Sequence, residues 1–342
     1  MALILIAVCL GCILTPLTLA GGVSRTWRTA HIIVPIVIGG CLVPAVVCYE
    51  IYVSRYPIFP KFFLISRGIV PPMLITFFMD LLSNVVSGHL YNVLLVGVNE
   101  PMTSATRIQT LSNFVSVLVG FFLGLAVVYI RHLKPFIIAG TLLYLLAIGL
   151  LIRYRGGLDS HSGIIAGECM MGLGSGLFIY PVVVVLQSHV PHDLLASITA
   201  NNNVLQSVGG AIGQAISGAI WTQLLYPKLA ENLGSQDASS ALSTPFQFIG
   251  KYPWGSSQRD SAVDAYKKVQ RIECIVGIAF TGVMVLLALV LRERKLTKDQ
   301  SIEGNERAAL KEADEERWDL LKLFKKNLKE KKLKENESTT EH

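Results

Sequence analysis

The feature that most constrains this chain is a series of long apolar stretches, each able to cross a lipid bilayer as a helix. A bilayer core of ~30 Å requires roughly 20 mainly apolar residues in a helix. The sequence contains eight such stretches, which are Met1–Gly22, His31–Val53, Gly68–Leu94, Ile108–Ile130, Pro135–Ile152, Ser162–Gln187, Ala196–Leu225 and Arg271–Leu291. They predict an all-α polytopic membrane protein. Because the first stretch begins at Met1, the chain is expected to start within a larger architecture.

Composition agrees with a membrane protein and argues against several functions. Hydrophobic residues make up 52% of the chain and charged residues only 16%, against ~25% charged in typical soluble domains. The net charge of +6 comes mainly from the tail and loops, so it does not indicate nucleic-acid binding. No Walker loop, HExxH or GxSxG motif occurs. The sequence therefore predicts neither an enzyme nor an ATP-driven pump, and no cofactor or directly bound metal.

Basic residues after the last stretch predict the orientation of the chain. Cytosolic ends of transmembrane helices carry excess Lys and Arg, and Arg292-Glu-Arg-Lys295 directly follows this stretch. The charged tail 292–342 is therefore expected in the cytosol. The short loops alone leave the orientation open, because four basic residues would then face outside, namely Arg25, Arg28, Arg153 and Arg155. An alternative for the first stretch is a signal peptide cleaved after Thr18-Leu-Ala20, although no basic segment precedes it.

Two segments outside the apolar stretches have features of their own. The long connection 226–270 would face outside and carries several aromatic residues, which are Phe246, Phe248, Tyr252, Trp254 and Tyr266. Long loops with such side chains often serve binding, and the alternative is a small ordered plug. In the tail 292–342, apolar and lysine residues alternate at helical spacing. That pattern fits a basic amphipathic helix on the inner leaflet, or a solvated segment.

The third stretch carries the clearest polar stripe within the predicted membrane region. Asp80, Asn84, Ser87 and Tyr91 are spaced four, three and four residues apart, so they share one helix face. An ionisable residue inside a bilayer costs about 2.5–3.5 kcal/mol on insertion scales and usually faces a cavity or a partner. Asp80 is therefore a candidate proton carrier, with Asn84, Ser87 and Tyr91 as cavity residues. The alternative role for Asp80 is a structural hydrogen bond between helices.

Two further stretches combine polar residues with small ones. Glu168 begins a glycine-rich segment and is a second candidate proton carrier, while Gly172 and Gly176 form a GxxxG pattern typical of helix packing. In the seventh stretch, a seam of small residues adjoins a polar strip with three cavity candidates, which are Asn203, Gln206 and Gln214. This combination suits a transporter core, and it equally fits a channel or a scaffold helix.

Several motifs resemble a known family. The segment from Ala196-Ser-Ile-Thr-Ala-Asn201 to Gly209-Gly-Ala-Ile-Gly-Gln-Ala-Ile216 resembles the penultimate helix of fourteen-span major facilitator proteins. Tyr252-Pro-Trp-Gly255 and Ala265-Tyr-Lys-Lys-Val-Gln-Arg-Ile272 resemble the fungal siderophore–iron transporters. The resemblance covers residues 1–295. It implies two linker helices in residues 1–53, followed by a major facilitator C-terminal six-helix bundle in residues 54–291.

The resemblance also implies a function. This family imports Fe(III)–siderophore complexes, such as ferric hydroxamates, together with protons by alternating access, across the plasma membrane or an endosomal membrane. The external loop 226–270, with Tyr252 and Trp254, would then contribute to substrate recognition. The N-terminal bundle of the family has no counterpart here, and such transporters bind substrate between two halves.

Three functions follow as alternatives. The first is siderophore–iron symport, assisted by a separate N-terminal half. The second keeps the transporter class but exchanges a drug, haem or glutathione for protons. The third is a truncated or partner half that transports nothing alone.

Overall fold

The computed structural model describes residues 29–49, 66–130, 132–154, 160–190 and 194–292, together with Phe63 and scattered positions between 5 and 16. No β-strand occurs among these residues. The amphipathic helix predicted in the tail lies outside the described residues, as does much of the first apolar stretch.

The described residues form a succession of helices. Their bounds are α1 Ala30–Cys48, α2 Val70–Ser87, α3 Leu90–Val93, α4 Met102–Ile130, α5 Lys134–Arg153, α6 His161–Ser188, α7 Leu195–Ile220, α8 Tyr226–Leu233, α9 Ser235–Ser243, α10 Pro245–Lys251 and α11 Ser257–Val290. Two wider, π-helical turns continue α3 and α7, and these are Leu94–Val98 and Trp221–Leu225.

Five helical segments in the described part of the chain are long and apolar enough to cross a membrane. They are Val70–Val98, Met102–Val127, Lys134–Arg153, His161–Ser188 and Ser257–Val290. This confirms the predicted all-α polytopic membrane protein. Helix α7, at 26 residues, is long enough as well, but its asparagines, glutamines and serines make it too polar for this group. It packs along α2 within the bundle.

Six long helices pack in a definite order. Helix α2 lies along α7, α6 lies between α4 and α5, and α11 packs against both α2 and α5. Small residues permit the closest of these approaches. A Cβ atom added at Gly209 or Gly213 of α7 would lie 2.3 or 2.4 Å from a backbone carbonyl oxygen of α2, at Phe77 or Leu81 respectively. The seam of small residues on α7 therefore lets two backbones approach closely.

The predicted GxxxG packing surface is confirmed on α6. A Cβ atom at Gly172 would lie 2.6 Å from the carbonyl oxygen of Ser112, and one at Gly176 would lie 2.7 Å from that of Ser116. Both carbonyl groups belong to α4. The two glycines therefore set the spacing between α4 and α6.

The first two apolar stretches also pack against each other. The Sγ atom of Cys9 donates to the carbonyl oxygen of Gly39 at 3.5 Å. A Cβ atom at Gly39 would lie only 2.6 Å from the side chain of Ile13. The described residues of the predicted linker pair therefore form a close helical contact.

The long connection predicted as a loop is largely helical. Residues 226–251 form α8, α9 and α10, and α11 begins at Ser257 rather than at Arg271. The Ser256 hydroxyl accepts a hydrogen bond from the backbone N–H of Arg259 and so caps α11. Charged residues between Ser257 and Arg271 lower the local hydropathy, so a search for apolar stretches does not detect the first turns of this helix. We call residues 226–256 the cap, because its buried residues pack over the ends of α3 and α7 and the start of α11.

Replacing Gly213 by alanine should destabilise the bundle, because the added methyl group meets the backbone of Leu81 and overpacking costs about 1–3 kcal/mol. Gly124→Ala is the matched control, since nothing lies within 4 Å of a Cβ atom there. Thermal unfolding of the detergent-purified protein, followed by fluorescence-detected size exclusion, measures both. Equal melting temperatures for the two variants would contradict the proposed close packing of α2 and α7.

Candidate functional site

A polar cavity of about 630 Å³ lies between α2, α4 and α7. Its lining combines amides, hydroxyl groups and one imidazole, and consists of Ser83, Asn84, Ser87, Gly88, His89, Gln109, Thr110, Ser112, Asn113, Gln214, Ser217, Gly218 and Thr222. The described lining contains no carboxylate, ammonium or guanidinium group. Such a wall offers many hydrogen-bond donors and acceptors to a polar solute, and its volume lies within the usual range of ligand pockets, ~300–1,000 Å³.

A short ladder of hydrogen bonds joins α2 to α7 beside this cavity. The Asn84 amide donates to the carbonyl oxygen of Asp80 at 2.8 Å, and the Gln214 amide donates to Oδ1 of Asn84 at 3.2 Å. Asp80 itself is half-buried, one turn from Asn84. Its carboxylate fits against Gly210, where a Cβ atom would lie 2.3 Å from Oδ2. The missing side chain at Gly210 therefore makes room for the Asp80 carboxylate.

The structure brings three of the predicted cavity residues together and places the others elsewhere. Asn84, Ser87 and Gln214 all line the cavity. Asn203 is exposed and Gln206 is partly buried, and neither belongs to the cavity wall.

Tyr91 and Asn202 have contacts that the sequence did not indicate. Tyr91 lies beyond the end of α2 and packs against Phe246 of α10, with 6.5 Å between ring centroids. Asn202, next to the predicted Asn203, is buried, and its Oδ1 accepts a hydrogen bond of 2.7 Å from Thr76. This bond ties α7 to α2 near the opposite end of the pair from Tyr91.

Glu168 is completely buried in α6. Neither of its carboxylate oxygens makes a hydrogen bond of normal geometry, although the Ser112 hydroxyl of α4 is close enough to interact with it. Ser112 also belongs to the cavity lining. Glu168 therefore lies behind the α4 wall of the cavity rather than on its surface.

A second polar cluster connects the cavity to α11 and was not predicted. The Ser217 hydroxyl donates to Oε1 of Glu273 at 2.8 Å. Nδ1 of His89 lies 2.8 Å from the Ser217 oxygen and 3.4 Å from Oε1 of Glu273. The His89 ring stacks on Trp221, with 4.3 Å between centroids and 6° between planes. We call His89, Ser217 and Glu273 the polar triad.

Two local features kept this triad out of the sequence prediction. His89 lies off the helical stripe of Asp80 and Asn84. It joins the cavity wall because α2 ends at Ser87 and is followed by a turn at Gly88 and His89. Glu273 comes two residues after the predicted start of the last stretch, which placed it at the membrane edge. In the structure it lies in the middle of α11. Gly88, a glycine within an apolar stretch, was the sequence signal for the break at the end of α2.

Helix α11 also donates hydrogen bonds to carbonyl oxygens around this break. The Gln270 amide donates to the carbonyl oxygen of Val86 at 3.1 Å. Arg259, which is completely buried, donates to the carbonyl oxygens of Leu95 and Val96 at 2.8 and 3.0 Å. These donors stabilise backbone groups that lipid could not solvate.

Comparison with known proteins gives the chain a family. No family model matches it. It is 44% identical to Siderophore iron transporter ARN1 of Saccharomyces cerevisiae over 86% of this chain and 47% of that protein. It is 45% identical to Siderophore iron transporter ARN2 of the same yeast over 89% of this chain and 50% of that protein. A third relative, Siderophore iron transporter 1 of Schizosaccharomyces pombe, is 31% identical over 83% of this chain and 47% of its own length.

This chain is a homologue of the fungal siderophore iron transporters. The family indicated by the motifs around Tyr252 and Ala196 is thereby confirmed. The relatives carry the names of transporters rather than enzymes, in agreement with the class expected from the sequence. The chain spans about half the length of the curated relatives it matches.

In this siderophore-transporter homologue, the predicted loop residues Tyr252 and Trp254 hold the cap together. The Tyr252 hydroxyl donates to Oδ2 of Asp237 at 2.7 Å, and Lys251 pairs with Oδ1 of the same carboxylate at 2.7 Å. The Trp254 ring lies 5.6 Å from the Arg259 guanidinium and covers it. Hydrogen bonds from Lys251 and then Tyr252 lower the pKa of the Asp237 carboxyl below its ordinary value.

The cap should therefore loosen in acid. A carboxyl whose pKa is lower in the folded state stabilises the fold above its unfolded-state value, ~3.9 for Asp, and this stabilisation is lost as the pH falls through the lower folded value. Hydrogen exchange in peptides covering residues 226–256, corrected for intrinsic rates, should rise below pH ~4.

Asp237→Asn should show the faster exchange already at neutral pH, because it removes the acceptor of both hydrogen bonds. Asp264→Asn, an exposed carboxylate on α11, should behave like the native protein. If exchange in the cap is the same for Asp237→Asn and the native chain at pH 7, the clamp around Asp237 does not stabilise the cap.

Proposed function

We propose that this chain takes part in carrying Fe(III)–siderophore complexes across a membrane, with the cavity between α2, α4 and α7 as part of their path. The observation that carries the proposal is a polar cavity of about 630 Å³ inside an apolar helical bundle. The homology of this chain to siderophore iron transporters supports the class of cargo.

The chemistry of the cavity suits a ferric hydroxamate. Hydroxamate anions neutralise the ferric charge, so the complex presents carbonyl oxygens and amide groups rather than a net charge at the metal. The described cavity wall offers the complementary amide and hydroxyl groups of Asn84, Asn113 and Gln214, and no carboxylate that would compete for the iron. The cavity would therefore bind the organic groups of the siderophore, and the iron would keep its hydroxamate ligands.

Transport would proceed by alternating access between two helical bundles, the second being a separate or attached N-terminal half. The relatives are about twice as long as the matched part, and the cavity here has walls from three helices of one bundle. Substrate sites at the interface of two repeats are typical of such transporters. Without a second bundle, we expect the chain to bind cargo but not to move it.

Proton entry would drive this import, with Asp80 and Glu168 as the carriers expected from the sequence. Asp80 supports such a role because it borders the Asn84–Gln214 ladder. Glu168 supports it because its buried carboxylate lies behind Ser112, a residue of the cavity wall. Ionisable groups at such depth are usually retained for function.

The membrane and the orientation are also part of the proposal. We place the tail 292–342 in the cytosol of a protein of the plasma membrane or an endosomal membrane, because basic residues follow α11. The cap, with Tyr252 and Trp254, would then face the side from which the siderophore arrives. Its position over the ends of α3 and α7 supports a role in substrate entry.

A chimera tests the proposed transport and Asp80 together. This chain replaces the matching half of the yeast relative ARN2, in cells without other siderophore transporters, and uptake of ⁵⁵Fe–hydroxamate siderophore is measured. We expect uptake in the chimera and a large loss of uptake in Asp80→Asn, because an amide cannot bind and release the proton that an intramembrane carboxyl group can carry. Asp264→Asn is the matched control and should keep native uptake.

Different failures of this experiment lead to different conclusions. Native uptake by Asp80→Asn would remove Asp80 from the mechanism while leaving the cargo unchanged. Strong competition by drugs, haem or glutathione, but not by unlabelled ferric siderophore, would assign the chain to another exchanger class. A chimera that reaches the membrane and takes up nothing would favour a non-transporting protein.

A further inference from the structure

We propose that His89 and Glu273 form a proton-binding pair at the wall of the cavity, and that this pair couples proton entry to transport. The proposal rests on the transport function proposed above and adds to it a site outside the polar stripe of α2. Glu273 is buried, His89 belongs to the cavity wall, and the two side chains meet beside the turn that follows α2.

Glu273 is a buried carboxylate with few groups to stabilise its negative charge. Its side chain is completely buried, and its Oε2 has no hydrogen-bond partner. Oε1 accepts from Ser217 and faces Nδ1 of His89 at 3.4 Å. A buried carboxylate with one neutral donor is strongly under-solvated, so a protonated imidazole at this distance would stabilise it.

His89 gives the pair its access to water. Its side chain is 23% exposed and belongs to the cavity wall. The hydroxyl hydrogen of Ser217 is used toward Glu273, so Nδ1 of His89 must be the donor in its 2.8 Å contact with Ser217. The neutral ring therefore carries its hydrogen on Nδ1 and has its lone pair on Nε2, which is the atom that accepts a further proton.

The proton step is balanced without any other reactant. A hydronium ion in the cavity transfers one proton to Nε2 of His89, which leaves a water molecule and forms an imidazolium ion beside the Glu273 carboxylate. The pair then changes from a net charge of −1 to zero, which favours the protonated form in a buried setting. Release of the proton to the other side restores the charge and completes the cycle.

Few other ionisable groups surround the pair. On α7, none occurs between Leu195 and Trp221, and the cavity wall of α4 contributes only Gln109, Thr110, Ser112 and Asn113. On α11, Tyr266 packs edge-on against Trp221 and donates its hydroxyl to the carbonyl oxygen of Ala241.

More distant ionisable groups belong to other contacts. On α5, Tyr144 packs against Phe178. Asp80 lies nine residues before His89, and Glu168 lies behind α4. Arg271, two residues before Glu273, is exposed on α11. Within the described residues, His89 is therefore the group that contacts Glu273 and can become a cation.

The position of the pair links its charge to the shape of the cavity. His89 lies two residues after the end of α2, and the Trp221 on which it stacks begins the wide turn at the end of α7. Protonation would draw His89 toward Glu273 on α11, and with it the turn that joins α2 to α3. Loss of the proton leaves His89 and Glu273 joined through the Ser217 hydroxyl.

The emission of Trp221 reports on the pair directly, because a protonated imidazole stacked on an indole quenches its fluorescence. The full chain is purified in lipid nanodiscs with the other tryptophans replaced, as Trp27→Phe, Trp254→Phe and Trp318→Phe. Emission is then recorded from pH 4 to pH 9. We expect it to fall through a single transition on acidification, and this transition should disappear in His89→Gln.

Glu273→Gln removes the counter-charge and should move the midpoint of the transition to lower pH by about one unit or more. Asp264→Asn, exposed on the same helix, should leave the midpoint unchanged. Equal midpoints for these two variants would overturn the proposal. If Glu273→Gln does not fold, the single-tryptophan protein with native Glu273 still tests the proposal. Trp221 emission that does not change with pH in that protein would also overturn the proposal.

Uptake by the chimera separates this proposal from the transport function. In the chimera, Glu273→Gln should lose the acceleration of ⁵⁵Fe–siderophore uptake by external acid, while Asp264→Asn should retain it. Uptake without any Trp221 transition would overturn the pair and keep the transport function. A Trp221 transition that depends on Glu273, without uptake in any chimera, would support the proton site and overturn the transport function.

Discussion

The structure depends on one requirement, which is that the backbone carbonyl groups of an interrupted transmembrane helix must find hydrogen-bond donors. Helix α2 ends at Ser87, and the segment Leu90–Val98 continues it with a wider turn. Lipid offers no hydrogen-bond donors to such carbonyl groups. Helix α11 provides them, because Gln270 donates to Val86 and the buried Arg259 donates to the wide turn beyond the break.

The same interruption builds the polar cavity. His89, in the turn that follows α2, lies in the cavity wall beside groups from α4 and α7. Gly88 suits this place because a Cβ atom there would lie 2.4 Å from the carbonyl oxygen of Asn84. The cap then covers Arg259 with Trp254. Support for the break, the cavity and the cap therefore comes from the first half of α11.

Local patterns predicted the helices and part of the cavity, but not the contacts made across the bundle. Apolar length is a local property, so the helices followed from it, and 3.6-residue periodicity correctly placed Asn84 and Ser87 on one face of α2, where both line the cavity. That periodicity fails beyond Gly88, where the break shifts the register and directs Tyr91 to the cap instead. The role of Glu273 depends on α11 starting early and packing against α2, and no local pattern contains this information.

The central claim is that the cavity between α2, α4 and α7 binds the ferric siderophore. With the native cysteines replaced, Asn113→Cys places one thiol in the cavity wall, and Gln258→Cys places one at the exposed start of α11. The measurement is the rate of labelling by a water-soluble maleimide, with and without ferric hydroxamate siderophore. We predict that the siderophore slows labelling at residue 113 and leaves residue 258 unaffected. Equal labelling at residue 113 under saturating siderophore would contradict the account.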